Sequence, residues 1–146
     1  DAQKEAINSV KPGQTFENLQ NQAIESITKG LRKLGLIKGT VKSLIEKEAY
    51  KDFYMHGIGH WLGMDVHDVG AYMSEKGKSK KFEAGMVLTI EPGIYISKKN
   101  KNVQKIWRGI GVRIEDNVLV TKSGCDILSG SLPKEIEDIE RRMSLN

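Results

Sequence analysis

The spacing of apolar residues changes once along this 146-residue chain, near Tyr54. Before that point, apolar residues recur every three or four positions, which is the period of an amphipathic helix. From there to Thr121, glycines are frequent and apolar residues occur in short runs bounded by turns, as in strands. A run of helices followed by a run of strands predicts an α+β fold.

Local patterns set the expected element bounds. Thr15 is a suitable N-cap for the second helix, and Pro133 lies near the start of the last one, where proline is tolerated in the first turn. Asp116 and Asn117 predict a turn that joins the last two strands as a hairpin. The predicted helices are 2–10, 16–34, 41–49 and 135–143, and the predicted strands are 86–91, 109–115 and 118–121.

Composition excludes several classes of protein. With 38% hydrophobic and 29% charged residues, the chain is close to a globular average and unlike a disordered or fibrous one. No apolar run reaches the roughly 18 residues of a membrane span, so we expect no membrane association. A single cysteine, Cys125, can form neither an internal disulfide nor a cysteine-rich metal site, which favours a cytoplasmic location. The chain opens with Asp1 and without a basic region and an apolar run, so no signal peptide is expected, and the lack of an initiator Met predicts a truncated chain.

The excess of basic over acidic residues raises the question whether the chain binds nucleic acid. The net charge is +4, and lysines cluster at 76–81 and 98–101. Neither cluster is interleaved with aromatic residues that could stack on bases. We therefore predict solvated loops and no nucleic-acid partner.

All three histidines, His56, His60 and His67, lie within twelve positions. An i, i+4 pair is typical of helical zinc sites, but Gly57 and Gly59 each disfavour a helix by about 1 kcal/mol. The glycines instead predict a loop and strand edge where backbone passes close to a ligand. A lone histidine is usually structural, whereas three so close together favour a functional site.

Two carboxylates end the apolar strands, Glu91 after 86–90 and Glu115 after 109–114. Alternation places Thr89 on the same face as Glu91, and Arg113 on the same face as Glu115. A buried, uncompensated carboxylate costs several kcal/mol, which a metal ion would offset. The alternative is an exposed strand-end glutamate or an ion pair with Arg113. Together with His60, the two glutamates form a hard donor set suited to Mn²⁺, Co²⁺, Zn²⁺ or Fe²⁺.

Carboxylates can bridge two such ions, and a two-metal site activates water for attack on a carbonyl. This chemistry predicts peptide hydrolysis. His56 and His67 are then candidates for binding substrate or for stabilising the oxyanion.

Three segments carry a resemblance to a known family. Residues 56–70 read His-Gly-Ile-Gly-His-Trp-Leu-Gly-Met-Asp-Val-His-Asp-Val-Gly, residues 89–95 read Thr-Ile-Glu-Pro-Gly-Ile-Tyr, and residues 109–116 read Gly-Ile-Gly-Val-Arg-Ile-Glu-Asp. In this order they resemble the C-terminal part of bacterial Xaa-Pro aminopeptidases (aminopeptidase P), which are pita-bread metallopeptidases. The resemblance extends over essentially the whole chain and implies a curved antiparallel sheet with helices on one face.

The resemblance also implies roles for individual residues. His60, Glu91 and Glu115 would be metal ligands, with Glu115 bridging two divalent ions, Mn²⁺ being expected, and Glu91 also assisting proton transfer. His56 and His67 would line the substrate site, with His67 at the scissile carbonyl. Arg113 would organise the carboxylates by pairing with an acidic ligand. The implied substrate is a peptide with proline second, and the implied assembly is a homo-oligomer. Trp61 is more simply a packing residue.

One part of the implied site has no counterpart here. The resemblance implies two further aspartate ligands from an upstream hairpin, and nothing before His56 matches them. We therefore expect residues 1–146 to be the C-terminal part of a single metallopeptidase catalytic domain, with the N-terminal domain and first half of the catalytic domain absent. We expect such a chain to be inactive alone.

Two other functions fit the same residues. Prolidases, which cleave Xaa-Pro dipeptides, carry similar blocks. Some pita-bread relatives have lost their metal ligands and act as non-catalytic peptide-binding modules. Retention of all three candidate ligands, His60, Glu91 and Glu115, argues against that second alternative.

Overall fold

The fold was analysed in a computed structural model that describes residues 1–144. Its helices are α1 (Ala2–Asn8), α2 (Phe16–Lys33), α3 (Val41–Glu46) and α4 (Ile136–Met143), with 3-10 turns at Ala49–Asp52 and Lys105–Trp107. Its strands are β1 (Val87–Ile90), β2 (Gly93–Tyr95), β3 (Gly111–Arg113), β4 (Asp116–Val120) and β5 (Cys125–Ile127). No helix within residues 1–144 combines the length and apolar character that crossing a membrane requires.

The structure confirms the N-cap and the apolar face predicted for the second helix. Thr15 has extended backbone, and its Oγ1 accepts a hydrogen bond from the N–H of Asn18 at 3.1 Å, which satisfies a free donor of the first turn. The apolar face of α2 is buried against α1 and the rest of the core. Its buried apolar residues are Leu19, Ala23, Ile24, Ile27 and Leu31.

The predicted helix 41–49 is wrong at its C-terminal end. The helix stops at Glu46 because Glu48 adopts a left-handed conformation, with φ of 53°, which ends the helical hydrogen-bond ladder. The 3-10 turn that follows buries Tyr50 and leads Phe53 and Tyr54 into the core. At the other end of the chain, α4 is confirmed, but Pro133 lies before it rather than in its first turn.

The predicted hairpin between residues 109–115 and 118–121 is also wrong. Asp116 opens β4 instead of forming a turn, and β3 and β4 run on in one direction with different partners. β2 pairs with β3, whereas β4 lies between β1 and β5 in a three-stranded antiparallel sheet. The hairpin that does form joins β4 to β5, where the N–H of Gly124 donates to Thr121 Oγ1 at 3.1 Å.

The two small sheets share one register. Ile90 pairs with Asp116 in one ladder, and Gly93 pairs with Arg113 in the other. Two residues on each strand lie between the two ladders and belong to neither, and a long hydrogen bond from the N–H of Ile114 to the carbonyl of Pro92, at 3.5 Å, crosses this break. Pro92 stands at this break, where it has no N–H to give to a ladder.

Beyond β2 the chain makes an excursion, residues 97–108, before it returns in β3. The base of the excursion is closed by two hydrogen bonds between Ile96 and the return arm. The N–H of Ile96 donates to the carbonyl of Ile110 at 2.8 Å, and the N–H of Gly109 donates to the carbonyl of Ile96 at 2.7 Å. Lys98, Lys99 and Lys101 are exposed on this excursion, and Lys76, Lys78 and Lys81 are exposed on an earlier loop.

The strands separate the core from the candidate site. Leu88 and Ile90 of β1, with Val118 and Val120 of β4, are at most 1% exposed and belong to the same apolar cluster as the helices. Thr89 lies between the two core residues of β1, so its side chain points to the opposite face. The helices therefore occupy one side of β1 and the candidate ligands lie on the other.

The C-terminal segment is fixed to the core through Asp116. This side chain is 2% exposed and accepts hydrogen bonds from Gln3 Nε2 at 2.6 Å and from Ser129 Oγ at 2.5 Å. It also pairs with Lys134 Nζ at 2.9 Å. Burial alone would raise the pKa of Asp116, but the three donors outweigh it and hold the pKa below its ordinary value of 3.8.

Replacing Asp116 by asparagine should lower the free energy of unfolding at pH 7 by about 1–3 kcal/mol, because the lysine loses its buried counter-charge. Since the folded carboxyl has the lower pKa, its stabilising contribution is complete above pH 3.8 and is lost as the pH falls through the folded value. Urea unfolding of wild type and Asp116→Asn across this range measures both effects. The exposed Asp126→Asn is the matched control, and a difference that does not shrink below pH 3.8 would contradict the assignment.

Candidate metal centre

The histidine segment runs beside β1 as an irregular edge, as its glycines predict. The N–H of Thr89 donates to the carbonyl of His60 at 2.9 Å, and the N–H of Glu91 donates to the carbonyl of Ile58 at 2.7 Å. Residues 55–70 contain no helix. This pairing sets His60 beside the end of β1 without any helical spacing.

Gly59 permits the close approach of these two segments. A Cβ at this position would lie 1.8 Å from the carbonyl oxygen of Thr89, and backbone cannot yield to that clash. The contact brings the N–H of His60 to 3.0 Å from Thr89 Oγ1, to which it donates. A side chain at residue 59 would therefore separate His60 from β1.

The shared register of the sheets brings the two glutamates together. One step beyond the pair Ile90 and Asp116, Glu91 stands opposite Glu115 in the break between the two ladders. The donor atoms of His60, Glu91 and Glu115 all lie within 4.8 Å of one another. Glu91 is 8% exposed, but Glu115 is exposed, so the cost of burying a carboxylate applies to Glu91 alone.

The ring of His60 is oriented for coordination. Its Nδ1 lies 2.9 Å from the carbonyl oxygen of Trp61, which can only accept a hydrogen bond, so Nδ1 carries the proton. Nε2 is then free to act as a ligand, and it lies 3.2 Å from Glu91 Oε1. A backbone carbonyl in this position is a common way to fix the tautomer of a metal-binding histidine.

Both oxygens of Glu91 are held by neighbours. Thr89 Oγ1 donates to Oε1 at 3.0 Å, and Arg113 Nη1 lies 3.3 Å from Oε2. Arg113 is fixed in turn, since its Nε donates to the hydroxyl of Tyr95 at 2.7 Å. The predictions from sequence place Thr89 on the face of Glu91 without a role and include no role for Tyr95. A hydroxyl two residues before a candidate ligand on one strand was the signal that could have identified Thr89.

His67 and His56 occupy different places around the three candidate ligands. The ring of His67 is exposed and meets the ring of His60 edge to face, with centroids 4.3 Å apart. The ring of His56 lies farther along, between Tyr54 and Tyr95, at centroid distances of 5.0 and 5.5 Å. The structure thus brings His67 to the ligand group, whereas His56 adjoins the Tyr95 and Arg113 side.

His56 presents a free acceptor in a buried setting. Its Nδ1 lies 2.8 Å from the carbonyl of Gly57 and so carries the proton, while Nε2 is buried without a partner among the described residues. Burial raises the pKa of the neighbouring Tyr54, so its phenol stays protonated and donates to Gln20 Oε1 at 3.0 Å. Gln20 Nε2 donates to the carbonyl of His56 at 3.3 Å, which fixes the backbone there.

Trp61 packs in the core. It is 7% exposed, and its ring contacts Phe16 and Phe82 edge to face at 4.8 and 5.8 Å. This confirms its interpretation as a packing residue.

The donor set fits a divalent cation. His60 supplies one imidazole nitrogen, and Glu91 and Glu115 supply up to four carboxylate oxygens, a combination that suits hard or borderline divalent metals. Within residues 1–144, this is the one group of three or more such side chains whose donor atoms lie so close together. Thr89 and Arg113, which hold the carboxylate of Glu91, also provide the outer contacts that metal ligands usually have.

Comparison with known proteins agrees with this site. The sequence model of metallopeptidase family M24 matches residues 1–122. The Xaa-Pro aminopeptidase of Haemophilus influenzae is 52% identical over 143 residues, which are 98% of this chain and 33% of the relative. The chain thus spans about a third of the length of the curated relatives it matches.

Solved structures show the same fold. The aminopeptidase PepP of Pseudomonas aeruginosa superposes with a TM-score of 0.95 and 49% identity, over 99% of this chain and 32% of that one. Aminopeptidase P from E. coli with the inhibitor Pro-Leu gives a TM-score of 0.92 and 40% identity, over 99% and 32%. These matches confirm the α+β pita-bread fold predicted from the resemblance. With a family match over most of its length and a donor set suited to metal, the chain belongs to metallopeptidase family M24.

Proposed function

We propose that this chain supplies part of the active site of a metal-dependent aminopeptidase that releases the N-terminal residue from peptides with proline at the second position. The observation that carries the proposal is the convergence of His60, Glu91 and Glu115, with donor atoms within 4.8 Å. The likeness to Xaa-Pro aminopeptidases over 98% of the chain supports the substrate class. Intact ligands also argue against a non-catalytic binding module.

In this proposal His60 Nε2 and the carboxylates of Glu91 and Glu115 would hold two divalent ions, with Mn²⁺ the expected metal. When bound, the ions polarise the scissile carbonyl and lower the pKa of water at the site. Two aspartates outside this chain complete the ligand set. His60 is already in the required tautomer through its contact with Trp61.

The remaining side chains bind substrate and handle the proton. Glu91 accepts the proton of the attacking water, and Thr89 and Arg113 keep its carboxylate in place for that transfer. His67 donates a hydrogen bond to the scissile carbonyl oxygen, where negative charge develops. His56 lines the substrate site on the side of Tyr95. Because an Xaa-Pro bond is a tertiary amide without an N–H, recognition rests on the carbonyl and on the proline ring.

The chain is proposed to be the C-terminal part of the catalytic domain of a longer protein. It spans 33% of the length of its Haemophilus influenzae relative, which supports a parent about three times as long. The parent is proposed to be a cytoplasmic homo-oligomer. With three of the five ligands, residues 1–146 alone are expected to be inactive.

Activity tests the proposal directly. The complete enzyme with Mn²⁺ should release the first residue from an Xaa-Pro-Xaa tripeptide, and His60→Ala should reduce release to background because a ligand is lost. Glu135→Gln, which removes only a surface ion pair with Lys4, is the matched control. Faster cleavage of Xaa-Pro dipeptides would assign the protein to the prolidases instead, and turnover by residues 1–146 alone would contradict the need for outside ligands.

Thr89 provides a second test. Thr89→Val keeps the shape of the side chain but removes the hydroxyl that contacts both His60 and Glu91. The Kd of the complete enzyme for Mn²⁺, measured by calorimetry, should rise about 10–100-fold. Thr28→Val is the matched control, because Thr28 is equally buried but hydrogen-bonds only within α2. An unchanged Kd would show that Thr89 does not support the ligands.

A further inference from the structure

The loop of residues 62–68 carries His67, and its shape rests on one carboxylate. We propose that Asp68 is a positioning residue: its carboxylate clamps this loop against Gly63 and thereby holds His67 beside His60. The inference rests on the proposed function for the role of His67 toward substrate. The clamp itself is a property of the chain that can be tested without metal or activity.

Hydrogen bonds close the loop at its base and across its middle. The N–H of Asp68 donates to the carbonyl of Trp61 at 3.1 Å, which joins the two ends of the loop. Asp68 Oδ2 accepts the N–H of Met64 at 3.1 Å, and Oδ1 accepts the N–H of Val69 at 2.8 Å. The carboxylate therefore ties the outgoing arm of the loop to the returning arm, on either side of His67.

Gly63 leaves the space that the carboxylate of Asp68 occupies. A Cβ added at Gly63 would lie 1.6 Å from Asp68 Oδ2 and 2.7 Å from its Cγ. No side chain fits there while Asp68 keeps its position. An alanine at residue 63 would force the Asp68 side chain to rotate away from Met64 and open the clamp.

Apolar burial does not hold this loop. Met64, Val66 and Val69 are 102%, 71% and 92% exposed, so their side chains are not packed in the core. His67 itself is exposed and makes no hydrogen bond among residues 1–144. Its edge-to-face contact with His60 therefore depends on the backbone that carries it, and the polar clamp is what orders that backbone.

The matched control lies in the same loop. The side chain of Asp65 makes no hydrogen bond within the described residues, although its carbonyl accepts the N–H of Gly63 at 3.2 Å. Asp65→Ala removes an equal charge from the loop and leaves the clamp in place. If the contact between His60 and His67 were lost only because a charge is removed, the loss would appear in both Asp65→Ala and Asp68→Ala.

The experiment is a nuclear Overhauser measurement on the complete enzyme without metal. With ring centroids 4.3 Å apart, His60 and His67 should give a ring-to-ring cross-peak in the wild type and in Asp65→Ala. We expect the cross-peak to disappear in Asp68→Ala and in Gly63→Ala. The indole signals of Trp61 and Trp107 report whether each variant keeps its core, so either of the two loop variants suffices if the other does not fold.

A double-mutant cycle separates the clamp from general damage. In an Asp68→Ala background the atoms that clash with a Cβ at Gly63 are gone, except for a Cβ at 3.3 Å. Gly63→Ala should therefore change the protection of the Met64 N–H against hydrogen exchange in the wild type but add little in that background. Additive effects would overturn the inference, as would a cross-peak that survives in Asp68→Ala or is lost in Asp65→Ala.

Activity of the complete enzyme distinguishes this inference from the proposed function. Asp68→Ala should lower kcat about 10²-fold through misplacement of His67, with the Kd for Mn²⁺ unchanged because no ligand is altered. Loss of the cross-peak in a protein that has no peptidase activity would leave the positioning role standing and would refute the proposed function. A kcat equal to that of the wild type would refute the catalytic value of the clamp.

Discussion

Antiparallel register across the break at Pro92 is the constraint on which the site depends. The ladders on the two sides of the break share one register, so Glu91 and Glu115 are forced to face each other although 23 residues separate them in the sequence. Neither carboxylate needs a loop of defined shape to reach the other. Proline cannot donate to a ladder, so the break between the strands is crossed only by the long hydrogen bond from the N–H of Ile114 to the carbonyl of Pro92, at 3.5 Å.

A second layer of contacts converts this proximity into a defined geometry. Glu91 is nearly buried and carries charge, and such a group is tolerated only when its oxygens are satisfied. Thr89 and Arg113 satisfy one oxygen each, and the same threonine hydroxyl also receives the N–H of His60. One buried hydroxyl therefore links two candidate ligands from different segments of the chain.

Features with a local signal were predictable from sequence, and features that depend on distant pairing were not. The N-cap at Thr15, the apolar face of α2 and the glycine-rich histidine segment follow from neighbouring residues, and the structure confirms them. The hairpin failed because Asp116 and Asn117 are typical of turns, yet β4 is paired on both sides by strands from elsewhere. The early stop of α3 at Glu46 had no signal in the sequence, since glutamate rarely adopts the positive φ that Glu48 has. Thr89 was placed on the correct face, but its contact with His60 exists only because Gly59 lets two distant segments touch.

Because the base of the excursion between β2 and β3 is closed by hydrogen bonds, insertions in the excursion should be tolerated better than insertions in the strands. Hydrogen bonds between Ile96 and residues 109 and 110 complete the pairing before the chain leaves the sheet. Residues inserted in 97–108 would enlarge a surface loop, at a cost that grows only slowly with length. One residue inserted between 111 and 116 would turn Glu115 to the opposite face of its strand. The geometry of the candidate metal ligands thus permits divergence in loop length at one end of these strands and forbids it at the other.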